Sequence, residues 1–268
     1  MRRLLSVDSS IHVITASWPL RIQDRSPERN RFFASCWLMV EAPDTTLPFF
    51  SFFSIALEIA SQSNPSWPTN LASSAATTAF MEARVERLRE KDPRAKLAHQ
   101  WVPYERISAQ LKRAVVAAED AKFVGHEGFD WEAITKAMEK NEKKGRVVSG
   151  ASTISQQLAK NLFLSGERSW LRKGQEAVIT WMLESALSKR RILELYLNFA
   201  EWGEGVFGAE AAARHHFDIS AAGLNAPQAA FLAAILPSPR RYAPGRITPY
   251  VAGRIETILA RMPAAQIP

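Results

Sequence analysis

Apolar residues at helical spacing, in segments bounded by capping residues, fill the chain from Thr78 onward and constrain its fold more than any other feature. One apolar stripe consists of Ile107, Leu111, Ala114, Val115 and Ala118. Glu119 and Asp120 follow at the C-terminal end of that predicted helix. No segment shows convincing period-two alternation flanked by turns, which a half-buried strand would require. The sequence therefore predicts a mostly α fold.

Capping residues indicate where the following helices begin and end. Asp130 is the expected N-cap of a helix that reaches about Lys144 and stops at Gly145. Thr153 with Gln156 three residues later matches a capping box, which predicts a helix through 164. The other expected elements are helices at 171–187 and 189–200, a glycine-rich turn at 202–208, a helix capped by Asn225 and stopped by Pro237, and a last helix opened by Thr248-Pro249.

Residues 1–77 lack this helical pattern and contain scattered Pro and Ser. Their longest strongly apolar, charge-free segment, Thr45 to Leu57, has 13 residues, whereas a membrane-spanning helix needs about 20. Asp8 interrupts the apolar stretch near the start, which argues against a secretory signal. We expect an irregular leader at 1–77, either an atypical or interfacial membrane anchor or a poorly ordered segment, followed by one domain at 78–268.

The positive charge of the chain is confined to its C-terminal part. Residues 1–80 hold six Lys/Arg and six Asp/Glu, so the whole formal charge of +7 lies in 81–268. Such an excess suits nucleic acid, an acidic membrane surface or a phosphorylated substrate. The single cysteine, Cys36, excludes an intramolecular disulfide, so the fold depends on packing.

Two carboxylates at the end of the first apolar helix form the first candidate site. Glu119 and Asp120 precede a loop that carries Phe123 and His126. A helix C-terminus disfavours negative charge, and nearby apolar groups raise the pKa of a carboxyl group. A raised pKa is what a general acid or base needs. The alternative is a solvated helix end beside a hydrogen-bonded histidine.

The segment from Gly150 to Leu164 forms the second candidate site. Gln157, Lys160 and Asn161 share one helix face, where amides and a cation could bind sugar hydroxyls and phosphate. Free backbone N–H groups at the start of this helix would favour an anion. The alternative is an ordinary amphipathic helix.

Charged and aromatic residues farther along the chain have simpler explanations when taken alone. Arg172 and Glu176, four residues apart, fit a surface ion pair that contributes about 0–1 kcal/mol. The basic segment 189–191 is expected to be solvated. The tryptophans expected in the core are Trp131, Trp181 and Trp202.

Together these segments resemble the family 51 glycosyltransferases, whose domain occurs alone in monofunctional biosynthetic peptidoglycan transglycosylases and fused to transpeptidases in bifunctional penicillin-binding proteins. The resemblance covers about 78–263. It lies in Glu119-Asp120, Phe123, His126-Glu-Gly128, Gly150 to Leu164, Arg172-Lys173, Glu176 and Ser188 to Asn198.

The resemblance implies a lysozyme-like helical domain that polymerises lipid II while the growing glycan stays on undecaprenyl pyrophosphate. It implies an inverting displacement, with Glu119 as general base and Glu176 as the second essential carboxylate. Lys160 and Arg172 would bind the pyrophosphate. The other expected substrate-binding residues are Asp120, Phe123, His126, Ser152, Thr153, Gln156, Gln157, Asn161 and Lys173. No transpeptidase Ser-x-x-Lys module is expected.

The resemblance also implies a location and partners. We expect the bacterial cytoplasmic (inner) membrane, with the catalytic domain facing the periplasm, and contacts with lipid II, the growing glycan and the membrane surface. Cell-division or cell-wall synthesis proteins are candidate partners. No cofactor or metal site is evident, and stimulation by a divalent cation is left open. Family members that act alone normally carry a clear transmembrane helix ahead of the domain, and residues 1–60 do not supply one cleanly.

Two other classes of function compete with the transferase. A lysozyme-type hydrolase also uses a carboxylate, but the cleavage of an uncharged glycosidic bond has no evident use for the Lys/Arg set. A basic nucleic-acid binder would be expected to show a helix-turn-helix signature or a zinc spacing, and neither is found. The sequence favours the transferase and no nucleic-acid partner.

Overall fold

A computed structural model of the protein describes residues 78–148, 150–164, 170–242 and 247–268. The predicted leader at 1–77, with its candidate anchor segment and Cys36, lies outside the described residues. Most of the described chain is helical, as predicted. Its α-helices are α1 (Ala79–Arg89), α2 (Ala109–Glu119), α3 (Trp131–Lys144), α4 (Ile154–Phe163), α5 (Trp170–Ala186), α6 (Lys189–Phe199), α7 (Ala209–Phe217), α8 (Ala226–Ile235) and α9 (Pro249–Arg261).

The predicted caps set the helix boundaries. The side chain of Asp130 accepts a hydrogen bond from the Ala133 N–H at the start of α3, and Gly145 ends that helix in the left-handed conformation, at φ 60°. Thr153 and Gln156 form both hydrogen bonds of the predicted capping box. These helix ends therefore follow from local side-chain chemistry.

Two strands of a small three-stranded sheet lie where the sequence predicted only a glycine-rich turn, and the third lies between α1 and α2. Its strands are β1 (Ala98–His99), β2 (Glu201–Gly203) and β3 (Val206–Phe207), with β3 parallel to β1 and antiparallel to β2. Gly208, at φ 84°, follows β3, and a Cβ there would lie 2.8 Å from the Asn198 carbonyl oxygen. Strands of two or three residues are too short to display alternation.

Two groups of helices share one apolar core. In the first group, α2 packs against α8 and α9, and α8 packs against α9. In the second, α4 packs against α1, α5 and α6. Fully buried side chains in the shared core include Leu111 of α2, Leu158 of α4, Leu193 of α6 and Leu232 of α8. This arrangement brings side chains of α2 and α4 together.

A separate apolar cluster attaches α3 to α5. Phe129, Ala177 and Val178 form this cluster, against which Ile134 and Met182 pack. Because α3 is covered on only one side, its other side exposes apolar groups. The prediction of a core position is correct for Trp202, which is fully buried. It is wrong for Trp131, which is 41% exposed.

Trp131 opens α3 and stacks on Phe129, with 5.5 Å between ring centroids. Trp181, on α5, is half-buried. Among the helices that the structure describes, none combines the length and the apolar character needed to cross a bilayer.

Candidate active site

Glu119 is the last residue of α2, and its side chain is only 12% exposed. Burial raises the pKa of its carboxyl group. The hydrogen bond from Gln157 and the charges of Arg254 and Lys160 oppose this shift, whereas the charge of Asp120 adds to it. The predicted direction of the pKa shift is confirmed, with burial as the main cause.

Gln157 connects Glu119 to the interior. Its Nε2 donates to Glu119 Oε2 across 3.0 Å, and its Oε1 accepts from the Tyr196 hydroxyl across 2.9 Å. Gln157 lies on α4 and Tyr196 on α6. The carboxylate at the end of α2 is thus hydrogen-bonded to the helix group that contains α4.

Lys160 lies one helical turn after Gln157 on α4. Burial lowers the pKa of its amine, and the positive charges of Arg172 and Lys173 act in the same direction. The negative charges of Glu176 and Glu119 act against them. Lys160 therefore lies within the electrostatic reach of both predicted catalytic carboxylates.

Glu176 is buried, with 3% of its surface exposed. Arg172 Nη1 lies 3.2 Å from one carboxylate oxygen, and the Lys173 amine donates to the other. The predicted ion pair forms, but its expected surface position is wrong, because Glu176 is buried. Two cations accompany the buried carboxylate, as the desolvation of a charge requires. The spacing of four residues predicted the pair of Arg172 and Glu176, but it could not predict that Glu176 is buried.

Asp120 fixes the loop after α2. Its carboxylate contacts His126 Nε2 at 2.9 and 3.1 Å and accepts a 3.0 Å hydrogen bond from the Ile154 N–H at the start of α4. Phe123 is fully buried, and its ring meets that of His126 edge-on at 6.5 Å. The alternative of a solvated helix end is wrong at this position. Asp120 therefore connects the end of α2 to the start of α4.

The start of α4 holds three more of the predicted substrate-binding residues. The hydroxyl of Thr153 accepts from the Gln156 N–H and donates to the Gly128 carbonyl. The amide oxygen of Gln156 accepts from the Thr153 N–H. Ser152 is exposed, whereas Thr153 and Gln156 are buried. Their role in substrate binding stays a prediction, as does that of the buried Asn161.

Two residues of the site were missed by the sequence analysis. Tyr196 belongs to the segment Ser188 to Asn198 that carries the resemblance, but its position on an apolar helix face gave it no polar role. Arg254 of α9 lies with its Nη2 3.9 Å from Glu119 Oε1. No local pattern relates residues that are so far apart in the chain.

The basic segment 189–191 also differs from the prediction. Lys189 lies 2.7 Å from Glu184, which also accepts from the Ser155 hydroxyl, and its amine is 4.7 Å from the centroid of the Phe123 ring. Only 20% of the Lys189 side chain is exposed. The expectation of a solvated basic segment is wrong for this residue, because a carboxylate and an aromatic face cover it.

A groove of about 380 Å³ runs along α9 beside the end of α2. Its lining includes Ala118, which precedes Glu119, together with Tyr250, Arg254 and Arg261. A ligand in this groove would lie close to the Glu119 carboxylate and to two guanidinium groups. Within the described parts of the chain, His, Cys, Asp and Glu side chains form no group of three or more that could hold a metal ion.

Comparisons with known proteins agree with this arrangement. The family model described as "Transglycosylase" matches residues 85–263. A protein of Dechloromonas aromatica (strain RCB) is 62% identical over 191 residues, which cover 71% of this chain and 83% of the relative. A protein of Herminiimonas arsenicoxydans is 59% identical over 192 residues, 72% of this chain and 83% of the relative.

A third relative, from Bordetella pertussis (strain Tohama I / ATCC BAA-589 / NCTC 13251), is 58% identical over 196 residues, 72% of this chain and 81% of the relative. All three relatives are described as "Biosynthetic peptidoglycan transglycosylase". The family model spans α2 to α9, the part of the chain that carries the candidate site. The chain therefore belongs to the transglycosylase family.

Proposed function

We propose that this protein is a peptidoglycan glycosyltransferase that polymerises lipid II into glycan strands, with Glu119 as its general base. The observation that carries the proposal is the position of the Glu119 carboxylate, which is 12% exposed, has a raised pKa and is hydrogen-bonded to Gln157 of α4, one helical turn from the half-buried Lys160. The charges of Glu176, Arg172 and Lys173 act on the amine of this lysine. A base and a set of cations in one site suit the transfer of a sugar away from a phosphorylated carrier.

The first chemical requirement is the activation of the acceptor. The 4-hydroxyl of the incoming lipid II is a poor nucleophile until its proton is removed. In the proposed step Glu119 accepts that proton while the oxygen forms a bond to the anomeric carbon of the donor, a contribution of about 10²- to 10⁴-fold. Gln157, Arg254 and Lys160 keep the buried carboxylate available in its ionised form.

The second requirement is the stabilisation of the leaving group. As the anomeric C–O bond breaks, its electron pair passes to the undecaprenyl pyrophosphate, whose oxygens gain negative charge. Lys160 and Arg172 are the proposed partners of these oxygens. Glu176 contacts Arg172 and Lys173 and so orients both cations before the substrate arrives. Attack opposite the leaving group inverts the α-linked donor and produces a β linkage.

The test replaces Glu119 by Gln, which keeps the shape of the side chain but cannot accept the hydroxyl proton. With labelled lipid II we expect no polymer on a gel and unchanged binding of lipid II. Activity within about tenfold of the parent protein would remove Glu119 from the base role. The lysozyme-type alternative predicts instead that the parent protein clears purified cell-wall sacculi.

We also propose that α3 and the residues after it rest on a membrane surface. The exposed fractions of three apolar side chains there are 41% for Trp131, 66% for Met138 and 86% for Val147. The exposed cations of the same region are Lys136, Lys140, Lys143, Lys144 and Arg146. Apolar groups flanked by cations favour the surface of an anionic bilayer. This surface supports contact with a membrane, and we propose that the membrane is the bacterial cytoplasmic membrane, with the domain facing the periplasm.

A further inference from the structure

A chain of two hydrogen bonds leads from the interior to the carboxylate of the base. The Tyr196 hydroxyl donates to Gln157 Oε1, and Gln157 Nε2 donates to Glu119 Oε2, with distances of 2.9 and 3.0 Å. The three residues lie on α6, α4 and α2, so the chain crosses three helices. Tyr196 is 1% exposed.

The amide of Gln157 supports the carboxylate in only one of its two orientations. Its nitrogen provides two donors and its oxygen only acceptor positions. With the nitrogen toward Glu119, the amide donates to an ionised carboxylate and its oxygen needs a donor from the opposite side. With the oxygen toward Glu119, two acceptors would face each other, which disfavours ionisation.

Tyr196 supplies the missing donor on the opposite side. Burial raises the pKa of its hydroxyl well above the usual range, and the negative charges of Glu119 and Asp120 raise it further. The hydroxyl therefore keeps its proton at every pH at which a carboxylate base works. In the reversed orientation the amide N–H₂ group would donate to the hydroxyl oxygen, and the buried O–H would lose the acceptor that Gln157 Oε1 provides. The cost of a buried donor without an acceptor therefore favours the orientation that donates to Glu119.

We propose that Tyr196 is a positioning residue for the reaction: its hydroxyl holds the Gln157 amide in the orientation that donates to Glu119, and so keeps that carboxylate ionised and aimed. The inference rests on the proposed function only in that Glu119 is taken as the base. Tyr196 itself need not touch the substrate.

The environment of Glu119 explains why its carboxylate needs the hydrogen bond from Gln157 to stay ionised. Burial favours the protonated acid, and Asp120 acts in the same direction. Gln157 gives the largest opposing contribution, followed by Arg254 of α9 and Lys160 of α4. Loss of the Tyr196 hydroxyl leaves the side-chain oxygen of Gln157 without this donor, so the amide can turn and weaken its hydrogen bond to Glu119.

The test measures the pKa of Glu119 by infrared spectroscopy of the full chain, with the carboxyl band identified by its loss in Glu119→Gln. We expect Tyr196→Phe to raise that pKa by about half a unit to one unit, and the acid limb of lipid II turnover to move to higher pH by the same amount. The matched control is Tyr104→Phe, which removes another buried hydroxyl, 2.6 Å from the Pro268 carbonyl oxygen, and should change neither quantity.

Two further variants show whether Tyr196 acts through Gln157. Gln157→Leu alone should raise the pKa of Glu119, and the addition of Tyr196→Phe should raise it no further. Replacement of Tyr196 by 3-fluorotyrosine keeps the shape of the side chain and strengthens its donor, so the pKa of Glu119 should fall. This last variant also serves if Tyr196→Phe does not fold.

Separate outcomes distinguish the inference from the proposed function. An unchanged pKa of Glu119 in Tyr196→Phe, or an equal shift in the Gln157→Leu background, overturns the positioning role. If the spectroscopic pKa shifts while the acid limb of turnover stays in place, the hydrogen-bond inference stands and the assignment of Glu119 as the base falls.

Discussion

At the scale of single residues, Glu119, the proposed general base, lowers the stability of the folded protein when its carboxyl group is ionised. Burial raises the pKa of its carboxyl group, so the folded protein binds a proton more readily there than the unfolded chain does. Stability from this group is therefore greatest at low pH and is lost as the pH rises through the folded-state pKa. Above its folded-state pKa the ionised group lowers the free energy of unfolding.

Glu119→Gln should accordingly raise the melting temperature at pH 7 while it abolishes polymerisation, since the amide carries no charge to bury. This increase in melting temperature should shrink as the pH falls toward the ordinary pKa of a glutamate, because the carboxyl group of Glu119 in the parent protein is then neutral, like the amide of the variant. Scanning calorimetry at several pH values measures this difference. A destabilised variant at pH 7 would contradict the idea that burial dominates the environment of Glu119.

The same raised pKa predicts the pH dependence of turnover. The general base must be ionised, so kcat/KM for lipid II should fall on the acid side with an apparent pKa above that of an ordinary glutamate. Lys160→Ala removes a positive charge that lowers the pKa of Glu119 and should move this limb to still higher pH. If the acid side of the kcat/KM profile moves to lower pH in this variant, Lys160 does not lower the pKa of Glu119.

Removal of a cation should also slow the chemical step. A charge-assisted contact is worth about 1.5–3 kcal/mol, so Lys160→Ala and Arg172→Ala should each reduce lipid II turnover by about 10- to 150-fold. Lys91→Ala, which removes an exposed lysine between α1 and β1, is the control. Parental turnover in both site variants would mean that these cations do not serve the leaving pyrophosphate.

At the scale of elements, Asp120 joins the end of α2 to the start of α4 through the Ile154 N–H and His126. Asp120→Asn should cost about 1–3 kcal/mol of stability, because a charged acceptor becomes a neutral one at a buried position. It should also slow polymerisation, since Glu119 and Gln157 depend on the distance between these helices.

Asp92→Asn is a matched control for that experiment. Asp92 is exposed and accepts a hydrogen bond from the Arg94 N–H, which an asparagine oxygen accepts equally well. Chemical denaturation and the polymer assay measure both effects. An Asp120→Asn protein with parental stability and turnover would contradict the role of Asp120 as a connection between the two helices.

The accuracy of the sequence predictions also depends on the scale. Helix ends with a local chemical signal were predictable: the capping box of Thr153 and Gln156, the N-cap Asp130 and the left-handed Gly145 all lie where expected. The short sheet was not predictable, because its strands are recognised only through their pairing.

The resemblance placed Glu119, Gln157 and Lys160 in one site, and the structure brings them together. Arg254 could not be found, because its approach to Glu119 depends on how α9 packs against α2. The burial of Glu176 was equally invisible, because an Arg and a Glu four residues apart have the same spacing on a surface helix and on a buried one.

At the scale of the whole molecule, the exposed apolar side chains of α3 and the residues after it form the surface that we propose binds the membrane. The double variant Met138→Glu, Val147→Glu should lower binding to anionic vesicles by about tenfold, because two apolar contacts are replaced by charges that the bilayer repels. Unfolding should change little, since both side chains are exposed.

Ala222→Glu, at an exposed site outside α3, is the charge control for vesicle binding. Co-sedimentation of the full chain with vesicles of phosphatidylglycerol and phosphatidylcholine measures the effect. Equal binding by the double variant and the control would place the membrane contact elsewhere on the protein.

The division of the site between two groups of helices bears on inhibition. Glu119 comes from the group of α2, α8 and α9, whereas Gln157 and Lys160 come from the group around α4. A compound that donates to Glu119 and presents an anion to Lys160 would bridge both groups and should raise the melting temperature in proportion to its affinity. Under the proposed mechanism, a substitution of Glu119 or Lys160 that weakens binding of the compound should also impair polymerisation, so resistance through these two residues should be difficult to acquire.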